Sequence, residues 1–321
     1  MQVVSQKLKR GLALALAAVA ASALIAGCGG GTSQIEPFAP TRVIAFGDES
    51  STILQSGKKY TINALNPDTK LIDCKLNQVW TQALASGFNM VYPQCNTDFV
   101  ALPQGLMYAA AGDKVADVRD KIDQYLSNDR FGPKDLVAIM VGVNDILELY
   151  RQFPAQSRDS LINEAKSRGK LLADQANRIA NANGRVLIAT IFDLGVTPFG
   201  VNEKNQQTDI DRQIFLNDLT TAFNVQMRLN LINDGRLIGL VLVDESIQQI
   251  SRFPSSFGYS NVTQAACRSD VAPQDCTTDT LVTEATSNPA QWLWAGDVLL
   301  SPAGQQYIAN LALGRARNNP F

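Results

Sequence analysis

Four short, nearly unbroken apolar runs, spaced along the chain and separated by longer amphipathic stretches, constrain its architecture most. They read RVIAF at 42–46, LVAIMV at 136–141, RVLIATI at 185–191 and LIGLVLV at 237–243. A strand with one face in water alternates apolar and polar residues, whereas these runs do not, so each strand is buried on both faces. Strands of that kind form a parallel sheet, whose crossovers cover it with helices on either side. Helical spacing fills the gaps. Within 115–126, Val115, Val118, Ile122 and Leu126 lie on one face, and within 209–232, Leu216, Leu219, Phe223 and Met227 do the same. Further helices are expected at 77–88, at 157–182, where Asn183-Gly184 provides a stop, and at 302–313, while 251–289 reads as loop. The fold class is therefore α/β, three layers of α/β/α around a central parallel sheet.

In such sheets ligands gather outside the carboxyl ends of the strands. The residues of chemical interest fall there. Gly47-Asp48-Glu49-Ser50-Ser51 follows the first run, Gly142-Val143-Asn144-Asp145 the second, and Asp193-Leu194-Gly195 the third. Asp244 follows the fourth, and the tail carries Leu300-Ser301-Pro302-Ala303-Gly304. Against this stands an absence: the chain holds 0 histidines. No Ser–His or Cys–His nucleophile can form, and no metal site can use imidazole.

The first residues read as an export segment. Lys7, Lys9 and Arg10 precede an apolar run from Gly11 to Ile25, too short for a membrane span and suited to a secretory signal. Ile25-Ala26-Gly27-Cys28 resembles the bacterial lipoprotein box. That resemblance implies cleavage after residue 27 and a lipid anchor in the membrane at Cys28. Gly29, standing where an Asp would retain such a protein, implies sorting to the bacterial outer membrane. Residues 28–40 are then a lipidated start and flexible tether, and 41–321 the folded domain. Removing residues 1–27 takes three positive charges and no negative ones, leaving a net charge of −5. A mildly acidic chain without basic clusters excludes nucleic acid as a partner. Cys74, Cys95, Cys267 and Cys276 are even in number in an oxidising compartment, which predicts two disulfides. Of three possible pairings the local one, Cys74–Cys95 with Cys267–Cys276, is favoured. A zinc site lacks both Cys-x-x-Cys spacing and histidine, and neither a metal nor a cofactor is expected.

The blocks after the strands, in this order over nearly the whole domain, resemble the GDSL or SGNH hydrolases, esterases and lipases of flavodoxin-like fold. The resemblance implies a serine nucleophile after Phe-Gly-Asp, at the start of a helix. Here Glu49 stands in its place. An oxyanion-hole asparagine matches Asn144, and a glycine amide matches Gly112, with Ala111 as the alternative. Registering the last block on Ser301-Pro302-Ala303-Gly304 puts Gly296 at the family's aspartate and Leu299 at its histidine, with Asp297 one residue away. All three positions of the triad are thus replaced.

Glu49 is expected to fill the anion site itself, accepting hydrogen bonds from nearby amides and from Asn144. Bland readings stand beside the functional ones. Asp48, Asp145 and Asp193 read as turn and cap carboxylates. Ser50 and Ser51 read as residues of a first helical turn. A Ser–Lys site would draw on Lys58, Lys59 or Lys114, and a carboxylate pair on Glu49 and Asp297. Trp80, Trp292 and Trp294 read as core, although the last two lie near enough to the final block to stack on a sugar. Two functions follow. One is an exported lipoprotein that keeps the cleft and binds an acyl or glycan ligand without cleaving it. The alternative is an active ester hydrolase with non-standard residues.

Overall fold

A computed structural model describes residues 37–321, which form one folded unit. The signal segment, Cys28 and most of the tether lie outside the described residues. The elements, in order, are β1 (Arg42–Gly47), α1 (Trp80–Ser86), β2 (Gly105–Met107), α2 (Val115–Asn128), β3 (Asp135–Met140), α3 (Val143–Arg151), α4 (Arg158–Asn181) and β4 (Arg185–Ala189). They continue through α5 (Pro198–Gln206), α6 (Arg212–Asn230), β5 (Ile238–Val241), α7 (Val243–Arg252), β6 (Asn261–Ala265), α8 (Thr283–Thr286), β7 (Trp292–Trp294) and α9 (Pro302–Asn318).

The central sheet runs β2-β1-β3-β4-β5, all parallel, the flavodoxin-like order. Every residue of β3 is buried, as are Val43 to Gly47 of β1 and Val186 to Ala189 of β4. The apolar runs therefore became strands buried on both faces, as their patterning requires. Helices α1 and α9 pack together on one face, while α2, α4 and α6 pack side by side on the other. The α4–α6 pair lies backbone to backbone at Gly169, where a Cβ would stand 2.1 Å from the Phe223 carbonyl oxygen.

The sequence missed β2, a three-residue edge strand in Gly-Leu-Met that carries no periodic signal. It also ran the fourth strand on to Val243, where the chain is already helical. Asp244 and Glu245 sit in the first turn of α7, where carboxylates stabilise a helix N-terminus. The helix expected from Asn77 starts at Trp80, because Asn77 adopts φ 49° and its Nδ2 donates to the Ile62 carbonyl at 2.9 Å. The helix expected from Asp209 starts at Arg212, capped by Asp211, whose side chain accepts from the Ile214 amide at 3.0 Å. Segment 251–289 is not loop throughout. It holds β6, which pairs in parallel with β7, and its side chains build a second apolar cluster of Ile62, Ala266, Cys276, Leu281, Ala285, Trp292 and Ala295.

Both disulfides carry the favoured local pairing, Cys74–Cys95 and Cys267–Cys276. The buried Gln305 of α9 links distant parts. Its Oε1 accepts from the Trp80 amide at 2.9 Å and its Nε2 donates to the Ser50 carbonyl at 3.2 Å. Cys267–Cys276 closes a short loop in the β6–β7 layer, and such a closure contributes about 2–3 kcal/mol when unstrained. Replacing both cysteines by serine should lower the unfolding free energy in urea by that amount.

Candidate active-site cleft

The strand order creates the site. Chain crossovers leave β1 and β3 toward opposite faces, so a crevice opens where their carboxyl ends lie side by side, with Gly47 paired to Met140. Glu49 comes two residues after β1, and Asn144 is the second residue of α3, just beyond β3.

After Gly47 the chain makes a turn closed by the Ser51 amide on the Asp48 carbonyl at 3.0 Å, with the Ser50 amide on Asp48 Oδ1 at 3.0 Å. The helix expected here is absent, so Ser50 and Ser51 are turn residues. The next residues are committed to other segments: Thr52 Oγ1 donates to the Ala109 carbonyl at 2.7 Å, and Ile53 pairs antiparallel with Lys59. Glu49 therefore begins no helix of its own. Two discrete donors hold it instead. Glu49 Oε2 accepts from the Gly112 amide at 3.0 Å and from Asn144 Nδ2 at 2.8 Å.

Each donor depends on a glycine. Gly112 has φ +82°, a left-handed conformation that side chains disfavour, and its position aims the amide of residue 112 rather than of Ala111 at the carboxylate. Gly142 caps α3 at φ +137°, and a Cβ there would stand 2.7 Å from the Phe223 ring. Asn144 is steadied further by a 3.2 Å bond from its Nδ2 to the Asp113 carbonyl.

The residues aligned with the last family block lie in the same place. Glu49, Tyr60, Gly296, Asp297, Val298 and Leu299 line a cleft of about 330 Å³, whose far wall comes from the β6–β7 layer and the Cys267–Cys276 loop. The Ala295 and Gly296 amides donate to the Leu299 carbonyl at 2.7 and 3.1 Å, which folds the 295–299 segment into a tight turn. Leu299 packs over Gly296: a Cβ on that glycine would meet Leu299 Cδ1 at 3.3 Å. Glu49 and Asp297 share this cleft, but each is a lone carboxylate without an ion pair among the described residues.

Other candidates are engaged elsewhere. Lys58 pairs with Asp275 at 2.7 Å and Lys114 with Glu148 at 2.7 Å. Lys59 is fully buried, which pushes its ammonium down to about 8, and its Nζ donates to the Cys74 and Leu76 carbonyls at 2.9 and 2.6 Å. Ser50 and Ser51 are 1% and 0% exposed, beyond the reach of a substrate. Trp292 and Trp294 are 4% and 0% exposed, so neither offers a platform for a sugar. Trp80 is likewise core, its Nε1 donating to Ser51 Oγ at 3.0 Å. Asp193 caps a turn, accepting from the Gly195 amide at 2.8 Å.

Asp48 is fully buried behind Glu49. Burial and the neighbouring negative charge raise its carboxyl well above the usual range, and Oδ2 has no partner among the described residues. The Asp48 carboxyl therefore holds its proton more tightly than an exposed aspartate does. On the other side of Asn144, Asp145 accepts from the Val115 amide at 3.0 Å, and burial pushes it up to about 6.

The family model described as GDSL-like Lipase/Acylhydrolase matches residues 43–312. The chain belongs to that family. Among curated relatives of this GDSL protein, the phosphatidylcholine-sterol acyltransferase of Aeromonas hydrophila is 29% identical over 151 residues. That match takes in 46% of this chain and spans only 40% of the relative's length. Among solved structures, a lipolytic G-D-S-L family protein from Veillonella parvula is 13% identical with a TM-score of 0.45, covering 85% of this chain and 96% of that one. The acetylxylan esterase Axe2 from Geobacillus stearothermophilus is 11% identical, with a TM-score of 0.45 and coverage of 87% and 96%.

Asp145 gives the site a pH signature. The unfolded chain releases this proton near pH 4 and the folded one at about 6, so between them the folded state binds more protons and loses stability as pH rises. A shift of about two units corresponds to about 3 kcal/mol. The stability difference between the parent chain and Asp145→Asn should therefore fall by up to about 3 kcal/mol from pH 4 to pH 7. A difference that stays flat in urea titrations across this range would refute the assignment.

Proposed function

We propose that this GDSL-family chain is an exported, lipid-anchored protein whose cleft binds a ligand without hydrolysing it. Its anchor is Cys28 and its site the bacterial outer membrane, on the sequence of residues 25–29. One observation carries the reading of the cleft: Glu49, at the position of the family's serine, occupies with Oε2 the two donors that match the family's oxyanion hole. A carboxylate there supplies no alcohol to activate. It also satisfies the Gly112 and Asn144 donors that would otherwise stabilise a tetrahedral oxyanion. The position matching the histidine is the buried Leu299, and that matching the aspartate is Gly296, so the cleft lacks the imidazole that would take a proton from a serine hydroxyl near neutral pH.

Of the acyl and glycan ligands expected, the cleft favours an apolar body. Its walls include Val271, Pro273, Val298 and Leu299, and the tryptophans that could have stacked on a sugar are buried. The active-hydrolase alternative has no structural support of its own, since Ser50 is buried and the lysines are engaged.

The 29–321 chain keeps the whole folded unit and serves as the test protein. It should turn over p-nitrophenyl acetate no faster than buffer, and Ser50→Ala should change nothing. Turnover abolished by Ser50→Ala would overturn the reading. The triple change Glu49→Ser, Gly296→Asp and Leu299→His rebuilds the missing groups, and removing the leucine relieves the 3.3 Å approach above residue 296. This variant should gain measurable esterase activity. A well-folded triple variant with none would mean that Gly296 and Leu299 are the wrong positions or that the cleft geometry does not suit the reaction.

A further inference from the structure

The substitution at residue 49 does more than remove a nucleophile: it reverses the charge that the cleft presents. In an ester-cleaving site the convergent amide donors present positive potential to a developing oxyanion. Here both donors are consumed by one oxygen, Oε2, while Oε1 accepts no hydrogen bond from any described residue. Asp297 adds a second unpaired carboxylate at the rim. Arg268 is the cation lining the cleft among the described residues, and it is bound by Asp270 through Nε at 2.9 Å and Nη2 at 2.7 Å. Lys58, on the neighbouring hairpin, is held by Asp275. The cleft thus carries two uncompensated negative charges against apolar walls. Tyr60 lines it as a neutral phenol, because burial and the charge of Glu49 push its ionisation upward.

An anionic head group would meet repulsion from both carboxylates there, with only the Tyr60 and Ser269 hydroxyls in the lining to answer it. An uncharged one would leave the carboxylates unanswered. A cation with an apolar body satisfies both parts of the cavity, its charge pairing with the half-buried Glu49 and its body covering the apolar walls. We propose that the cleft binds an organic ammonium ion with an apolar body, the charge resting against Glu49 Oε1 with Asp297 nearby and the body against Val271, Pro273, Val298 and Leu299. This assignment rests on the non-hydrolytic reading of the same cleft and adds the charge of the ligand to it.

Isothermal titration of the 29–321 chain with n-hexylammonium, hexanoate and 1-hexanol at neutral pH and low salt tests it. Hexylammonium should bind saturably and at least about tenfold more tightly than either isosteric probe. Glu49→Gln keeps an oxygen to accept from Gly112 and Asn144 but removes the charge. It should weaken hexylammonium about tenfold with the thermal midpoint retained, and Asp297→Asn should weaken it less. Hexanoate binding as tightly as hexylammonium overturns the proposal, as does unchanged affinity in Glu49→Gln or the lack of saturable hexylammonium binding. Any of these results, with p-nitrophenyl acetate still untouched, discards the ligand class and leaves the non-hydrolytic reading in place. Ester turnover by the unmodified chain discards both.

Discussion

One carboxylate oxygen, Glu49 Oε2, ties together three segments far apart in sequence: the turn after β1, the glycine turn after β2 and the first turn of α3. The meeting depends on β1 lying between β2 and β3 in the sheet, so that all three strands end at one edge. Strip the carboxylate away and two aligned donors would face the cleft unpaired, a state that costs free energy wherever water is limited. The glutamate is therefore a structural tie, and on the non-hydrolytic reading proposed above the same contacts that order the crevice keep an oxyanion out of it.

Around this tie the electrostatics divide between neighbours. Glu49 and Asp48 are adjacent carboxylates, and two charges so close are not both sustained in a buried place. Glu49 has two donors on one oxygen, whereas burial and the neighbouring charge raise the Asp48 carboxyl, whose second oxygen is orphaned. Asp145 is intermediate, with Val115 and Arg168 offsetting part of its burial. The charge is thus concentrated on the residue that lines the cleft.

Much of this was legible from sequence, for identifiable reasons. Doubly buried strands announce themselves by unbroken apolar runs, and residues just past them are positioned by the sheet rather than by local preference, so Glu49 and Asn144 could be placed together from the pattern alone, while Gly112, beyond the missed β2, was reached only through resemblance to the GDSL family. What escaped depended on long-range context. No local pattern distinguishes Ser50-Ser51-Thr52 as a turn rather than a helix start, because Thr52 is claimed by Ala109, 57 residues away. Strands β2 and β7 are three residues each, too short for a period to show. The burial of Trp292 and Trp294 follows from the β6–β7 layer, which the polar composition of 251–289 concealed.

Gln305 has a consequence for the order of events in folding. Its amide bridges the Ser50 carbonyl and the Trp80 amide across a separation of up to 255 residues, so the floor beneath Glu49 is left with open valences until α9 docks. Contacts of such range form late, after the entropy of closing the intervening chain has been met. A chain truncated ahead of residue 305 would therefore lack the bridge that completes the floor of the crevice.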